Sequence, residues 1–437
     1  MSETKKKPMG MAIGTFVIGL LIGLVVMYGA APSLGLAPSS STMVTTTVQQ
    51  GMSGTITIGG LLGLTGSLSS YGQREKVAMD MAISDINGYL SASGSSVQFQ
   101  SRVEDTGNDP ATALQKLQTL AAQGIQVYVG PLSSGEASNI LAYANTNHLV
   151  LISQSSTAEK LAIPNDFLFR LIPTDFAQSK AVARVVYQYG IQDVVVVARH
   201  DAWGDGLSAA FEARYQQLGG TVIDTVSYTP TTGTQDFSPQ LTQMKSDYDA
   251  AVTKYGASKV GVVAVEFNEF SVMLQQASGS YKSLLGTVWF GTDGIAGDTT
   301  VSGAASGPVA AQVKCLSTIY APTRGEKYAA FTSAFIAKFG GQPDPYSYTA
   351  YDATWVAALS IISVGKNDGA AVQKVLINVA NNYYGVAGWP DLNSNGDRTI
   401  SDYDIFEVTT VNATAAQWNT IGSWSASSDG VSYSQTP

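Results

Sequence analysis

Two hydroxyl clusters and two carboxylates carry the chemistry of this sequence. GPLSSG (130–135) and SQSST (153–157) each place serine or threonine directly after an apolar run and ahead of a helical stretch. Free helix N–H groups and hydroxyl donors at such a place favour an anion, for instance a carboxylate. Either cluster alone reads as helix capping; at neighbouring strand ends the two can converge on one carboxylate. Asp293, in FGTDG, follows TVWF, while Glu266 and Phe267 follow VGVVAV. A carboxylate on a crevice wall can pair with an ammonium group, a bond about twice as strong as a neutral one. The plainer reading of Asp293 is a solvated turn. Trp203, in HDAWGDG, can close over an apolar group or serve packing alone. The loop 63–73, GLTGSLSSYGQ, lacks the Gly-Lys-Ser/Thr of a phosphate loop, which argues against a nucleotide.

The elements that must position these residues alternate between strand and helix. Strands are expected at 55–61, 97–104, 127–130 and 149–153, with helices at 73–90, 110–123 and 135–147. The pattern then restarts. Helices at 175–189, 204–218 and 237–255 interleave with strands at 193–198 (DVVVVA), 221–227, 260–265 and 287–291, and further helices lie near 325–339, 348–364 and 370–380. Alternation of this kind predicts an α/β fold with two doubly wound parallel sheets in series. In such sheets ligands sit beyond the carboxyl ends of the strands, and two units leave a crevice between them.

Composition narrows the function. Charged residues make up 13% of the 437-residue chain, against roughly 25% in average globular proteins, and the net charge is −9. That balance argues against nucleic acid as a partner. Lys5, Lys6 and Lys7 precede an uncharged apolar run at 9–31, and a helix needs about 20 apolar residues to span a bilayer. The run predicts an N-terminal transmembrane helix with the lysines inside, or else a signal peptide cleaved near Tyr28-Gly29-Ala30. Either way the remainder is exported. Residues 32–54, rich in Ser and Thr and free of charge, read as a tether. Cys315 is the sole cysteine, which excludes an internal disulfide; in Val313-Lys314-Cys315-Leu316 it reads as a buried residue of a strand. His148 and His200 are the sole histidines, so a His-rich metal centre has little support.

In order and spacing, GLTGSLSSYG, EDTGNDP, VGPLSSG, ISQSST, RHDAWGDG and FGTDG resemble the branched-chain amino-acid-binding solute receptors of ABC importers. The resemblance runs from about residue 55 to about residue 408. It implies the type I periplasmic binding fold, two lobes joined by a multi-strand hinge. Lobe 1 would take 55–172 and 322–389, and lobe 2 would take 173–321 and 390–437. Ser134 with Ser155, Ser156 and Thr157 would hold the ligand α-carboxylate, and Asp293 its α-ammonium. Tyr71 and Trp203 would pack on the ligand side chain from the two lobes, with Phe267 lining the pocket. SQSST departs from the family's usual small-residue-plus-Thr arrangement, so whether Ser155 or Ser156 offers its backbone stays open. The implied partners are a small zwitterion, an amino acid above all, and the membrane permease of the importer. The resemblance implies no covalent chemistry and places the protein at the cell surface.

The segment 391–402, DLNSNGDRTISD, fits the start of a calcium loop through Asp391, Asn393 and Asn395, with Asp402 in place of the usual Glu. A plain hairpin turn is the favoured reading of this segment, and bound calcium is the alternative. Other functions remain to be weighed: a ligand sensor or an amide or urea receptor of the same fold, a hydrolase using Ser133–Ser134, and a surface-layer protein. No base accompanies the serine pair, and the α/β pattern disfavours the last.

Overall fold

The computed structural model describes residues 52–231, 235–399, 401–412 and 414–434. The apolar run at 9–31 and most of the tether lie outside the described residues. Among those residues no helix is long and apolar enough to cross a membrane.

Two sheets organise the chain. The first comprises β1 (Gly54–Leu62), β2 (Val97–Asp105), β3 (Val127–Val129), β4 (Val150–Ser153), β5 (Leu168–Pro173) and β11 (Asp397–Arg398). Its order is β11-β5-β4-β3-β1-β2, every pairing parallel. The second holds β6 (Asp193–Arg199), β7 (Thr221–Tyr228), β8 (Val260–Val265), β9 (Trp289–Gly291), β10 (Leu316–Tyr320), β12 (Tyr403–Asn412), β13 (Ala415–Ser425) and β14 (Gly430–Tyr433). It runs β14-β13-β12-β10-β9-β8-β6-β7, parallel from β7 to β10 and antiparallel beyond.

Period-two alternation explains the layers. Val127, Val129, Val150 and Ile152 pack under α1 (Ser69–Ala92), α10 (Pro345–Val364) and α11 (Gly369–Asn381), with Met79, Val356 and Leu376. Tyr128 and Leu151 point the other way, to α2 (Pro110–Ala121) and α3 (Ser134–Asn147), with Leu117 and Ile140. The DVVVVA strand is apolar throughout because helices cover both its faces. Val194 and Val196 meet α4 (Asp175–Tyr189) and α5 (Gly204–Gln217), while Val195 and Val197 meet α6 (Ser238–Tyr255) and α7 (Phe270–Ser280). The short α8 (Gly307–Gln312) and the long α9 (Glu326–Phe339) complete the set.

The chain crosses between the sheets after β5, after β10 and after β11, a hinge of several strands. One assignment changes. Residues 390–437 were expected in the second lobe, but β11 pairs with β5 in the first sheet. A buried ion pair explains this: Arg170 Nε lies 2.6 Å from Asp397 Oδ1, both side chains being essentially inaccessible. Arg170 Nη1 also donates to Ala158 O at 2.7 Å, so this one guanidinium joins the β11 turn to the loop after β4. Burial raises the Asp397 pKa despite the arginine. Cys315 lies buried one residue before β10, its thiol pushed up to about 12 by burial.

Removing one partner of such a pair leaves a buried charge uncompensated, at about 3–5 kcal/mol. Asp397→Ala should lose that much stability in urea denaturation of the full chain. A loss below about 1 kcal/mol, typical of exposed pairs, would show that Arg170 does not tie the lobe together.

Candidate functional site

Each sheet reverses its strand order at one place, between β1 and β3 in the first and between β6 and β8 in the second. The loops leaving these strands face each other across the crevice. They enclose a chamber of about 20 Å³, room for one or two waters.

From the first lobe, Ser134, Ser155 and Thr157 line this chamber with Leu68, Leu132, Ser133 and Tyr346. Ser133 caps α3 in a reciprocal capping box with Glu136, which frees Ser134 to face elsewhere. Ser134 Oγ accepts from the N–H groups of Thr157 and Ala158, both at 3.1 Å. A hydroxyl has two lone pairs and one proton; with both lone pairs engaged, the Ser134 proton remains for an anion. Ser155 Oγ donates to Leu132 O at 2.8 Å and is committed. The N–H of Ser156 is held by Ser153 Oγ at 2.9 Å, whereas that of Ser155 meets the same oxygen at only 3.4 Å. Ser155 is therefore the better backbone donor of the two, and Ser156 lies buried away from the chamber wall.

From the second lobe come Trp203, Phe267, Asp293 and Gly294. Asp201 Oδ1 accepts from the N–H groups of Trp203 and Gly204, which sets the turn after β6. Trp203 stacks on Phe267, with centroids 4.8 Å apart and planes at 23°. Gly294 permits this, since a Cβ there would lie 2.8 Å from atoms of both rings. Glu266, beside Phe267, is fully buried with neither carboxylate oxygen hydrogen-bonded, and burial holds its pKa well up. Glu266 does not line the chamber.

Asp293 is the electrostatic centre. Its Oδ1 accepts from Gln178 Nε2 at 2.8 Å and its Oδ2 from Tyr346 OH at 2.6 Å. Burial raises its pKa to about 6, while these two bonds pull the other way. Asp175, at the start of α4, is buried with both carboxylate oxygens unpartnered. Its pKa is held well above the ordinary range, first by burial and then by the charge of Asp293. Two adjacent buried carboxyls cannot both ionise freely, so they titrate as a pair. Neither forms an ion pair among the described residues.

Tyr71 takes a different place from the one expected. Its hydroxyl donates to Asp293 O at 3.1 Å and Ala296 O at 3.0 Å, and its ring sits edge-on to Tyr346 at 5.4 Å. It braces one lobe on the other from behind Tyr346 rather than lining the chamber. Asp175 and Tyr346 are residues that sequence reasoning missed. The Asp344-Pro345 pair was the available signal for Tyr346: Asp344 caps α10 with Pro345 at its first position, three residues ahead of the expected 348 start.

The segment 391–402 forms a hairpin turn, Leu392 bridging antiparallel to Arg398. Asp391 Oδ2 accepts from Thr399 Oγ1, and Asn393 Oδ1 accepts from the N–H groups of Asn395 and Asp397. Asp402 Oδ1 takes the Ala426 N–H on the second lobe. The Asp391 and Asn393 side chains are engaged in hydrogen bonds of the turn, and no group of three or more His, Cys, Asp or Glu that could hold a metal occurs among the described residues.

A family described as periplasmic binding protein matches residues 55–415. An uncharacterized protein of Methanocaldococcus jannaschii is 33% identical over 91% of this chain and 96% of its own length. The leucine-, isoleucine-, valine-, threonine-, and alanine-binding protein of Pseudomonas aeruginosa is 23% identical, covering 79% of this chain and 87% of that one. Among solved structures, a leucine binding protein from Thermotoga maritima superimposes with a TM-score of 0.69 at 20% identity, over 84% of this chain and 98% of that one.

Carbon-detected NMR of labelled aspartate should find Asp293 titrating near 6, well above the usual carboxylate value of about 3.9. In Asp175→Asn one of the two coupled titrations should vanish. An Asp293 carboxyl titrating below 4 would mean that solvent reaches it.

Proposed function

The chain belongs to the periplasmic binding protein family, and on that premise we propose that it captures a small amino acid between its lobes for an ABC importer. Members of this family bind solutes and catalyse no covalent step, and the type I fold places two parallel-sheet lobes around the ligand. The observation that carries the reading is Asp293: a buried carboxylate on the crevice wall, beside the unpartnered Asp175, with no ion pair to either among the described residues. A buried anion of this kind is stabilised most by a cation that desolvates with it.

The ligand ammonium would sit at Asp293, with Asp175 close enough to add its field. The α-carboxylate would take the Ser134 hydroxyl proton, the Ser155 N–H and the positive end of α3. Trp203 and Phe267 would close over the aliphatic part. A neutral amide or urea would leave the Asp175–Asp293 pair without compensation, which favours the zwitterion. Separation of the lobes about the three crossings would admit the ligand, and closure would present a joined surface to the permease. The family is extracytoplasmic. Residues 9–31 would hold this protein at the outer face of its membrane, with 32–54 as tether, 55–172 and 322–398 as one lobe, and the rest as the other.

Asp293→Asn should weaken amino-acid binding by more than about a hundredfold, from the about 3–5 kcal/mol of a broken buried pair, when measured by calorimetry on folded protein. Equal affinity in the variant would remove the ammonium from this site. Ser134→Ala has a second consequence, since it strands two buried N–H donors at about 1–3 kcal/mol each. It should lose both affinity and thermal stability; a variant that keeps both would show the hydroxyl to be idle.

A further inference from the structure

We propose that Asn412 carries an N-linked oligosaccharide at the tip of the β12–β13 hairpin. Asn412-Ala413-Thr414 is the sole Asn-x-Ser/Thr acceptor sequence in the chain. It falls where β12 turns into β13. β10 pairs with β12 only as far as Glu407, so the ribbon beyond Val408 pairs with β13 alone. Thr410, Val411, Asn412 and Thr414 are all exposed, Val411 to 56%. A transferase can therefore reach the turn in the folded protein. The inference stands apart from the identity of the ligand and needs only that the hairpin be exported, as in this family.

Local geometry presents the amide. Thr410 pairs with Ala416 and Asn412 with Ala415, which leaves Val411 as an extra, unpaired residue. Such a bulge re-aims the side chains beside it. Asn412 Oδ1 accepts from the Thr414 N–H at 3.0 Å and from Thr414 Oγ1 at 3.3 Å. An asparagine amide has one acceptor oxygen and two N–H donors. The oxygen is held within the turn, while Nδ2 donates no hydrogen bond among the described residues. Hydrogen bonds to that oxygen polarise the amide and make its N–H more acidic. The co-substrate is a lipid-phosphate-linked oligosaccharide on the extracytoplasmic side. The bond from its first sugar carbon to the phosphate oxygen breaks, and the lipid phosphate leaves. A bond from that carbon to Asn412 Nδ2 forms, and one Nδ2 proton passes to a base of the transferase. A bulky, solubilising chain at this point covers Val411 and screens a strand edge open to pairing with other chains. No residue of 409–415 lines the chamber, so ligand capture is left alone.

The test is mass spectrometry of the full chain taken from the membranes of its own organism. The tryptic peptide that begins at Thr399 should carry sugar mass, localised to Asn412 by fragmentation. Asn412→Gln and Thr414→Ala, expressed in the same organism, should each lose all of that mass. Thr414→Ser, which keeps the hydroxyl, should retain it. Thermal unfolding of each variant separates a lost glycan from lost folding, and where a variant fails to fold the wild-type spectrum decides alone. Bare Asn412 in the wild-type protein overturns the inference, as does sugar mass that persists in folded Asn412→Gln or Thr414→Ala.

Discussion

A single buried carboxylate holds the two lobes in relation to each other. Asp293 lies at the end of β9 in one lobe, and its side chain accepts the hydroxyl of Tyr346 from the other. Its own carbonyl accepts the hydroxyl of Tyr71. Gln178, at the first turn of α4, completes the shell. Burial opposes the ionised form of this group while its hydrogen bonds favour it, and burial wins. The contact surface of the lobes is thereby also its electrostatic weak point, where an incoming positive charge gains most.

The surrounding architecture serves that point. Both sheets place their order reversals at the crevice, so loops from six strands reach it without any long excursion. Rigid supports lie behind each loop. Arg170 anchors the loop after β4 through Ala158 O while tying β11 into the sheet. Ser134 joins the start of α3 to the N–H groups of Thr157 and Ala158. Asp201 fixes the turn that carries Trp203. The site is thus preorganised within each lobe, and the freedom that remains is the angle between lobes.

Much of this was legible in the sequence where the signal is local. All-apolar runs such as DVVVVA and VGVVAV announce strands buried on both faces, and the Gly- and Ser-rich stretches after them mark the crevice loops. Ser134, Ser155, Thr157, Trp203, Phe267 and Asp293 do line one chamber. What failed was non-local. Tyr71 reads as a wall aromatic, but its hydroxyl is spent on carbonyls 222 and 225 residues away. The 391–402 turn is visible as a turn, while its pairing with β5 depends on Arg170, 227 residues distant from Asp397. Asp175 appears in sequence as an ordinary acid at a helix start, stabilised by the dipole; only the fold buries it beside Asp293. Strand β5, helices α7 and α8 and the terminal β12–β14 ribbon went unread, since short or mixed apolar runs carry weak periodicity.

The central claim is that a ligand ammonium takes the place of a proton at Asp293. Calorimetric titration with alanine in buffers of differing ionisation enthalpy counts the protons released on binding. With the free-state Asp293 carboxyl raised to about 6, linkage predicts proton release on binding at pH 5 that declines as pH rises through that value toward 8. Binding at pH 5 without proton release would contradict the account, because the ligand would then leave Asp293 as it found it.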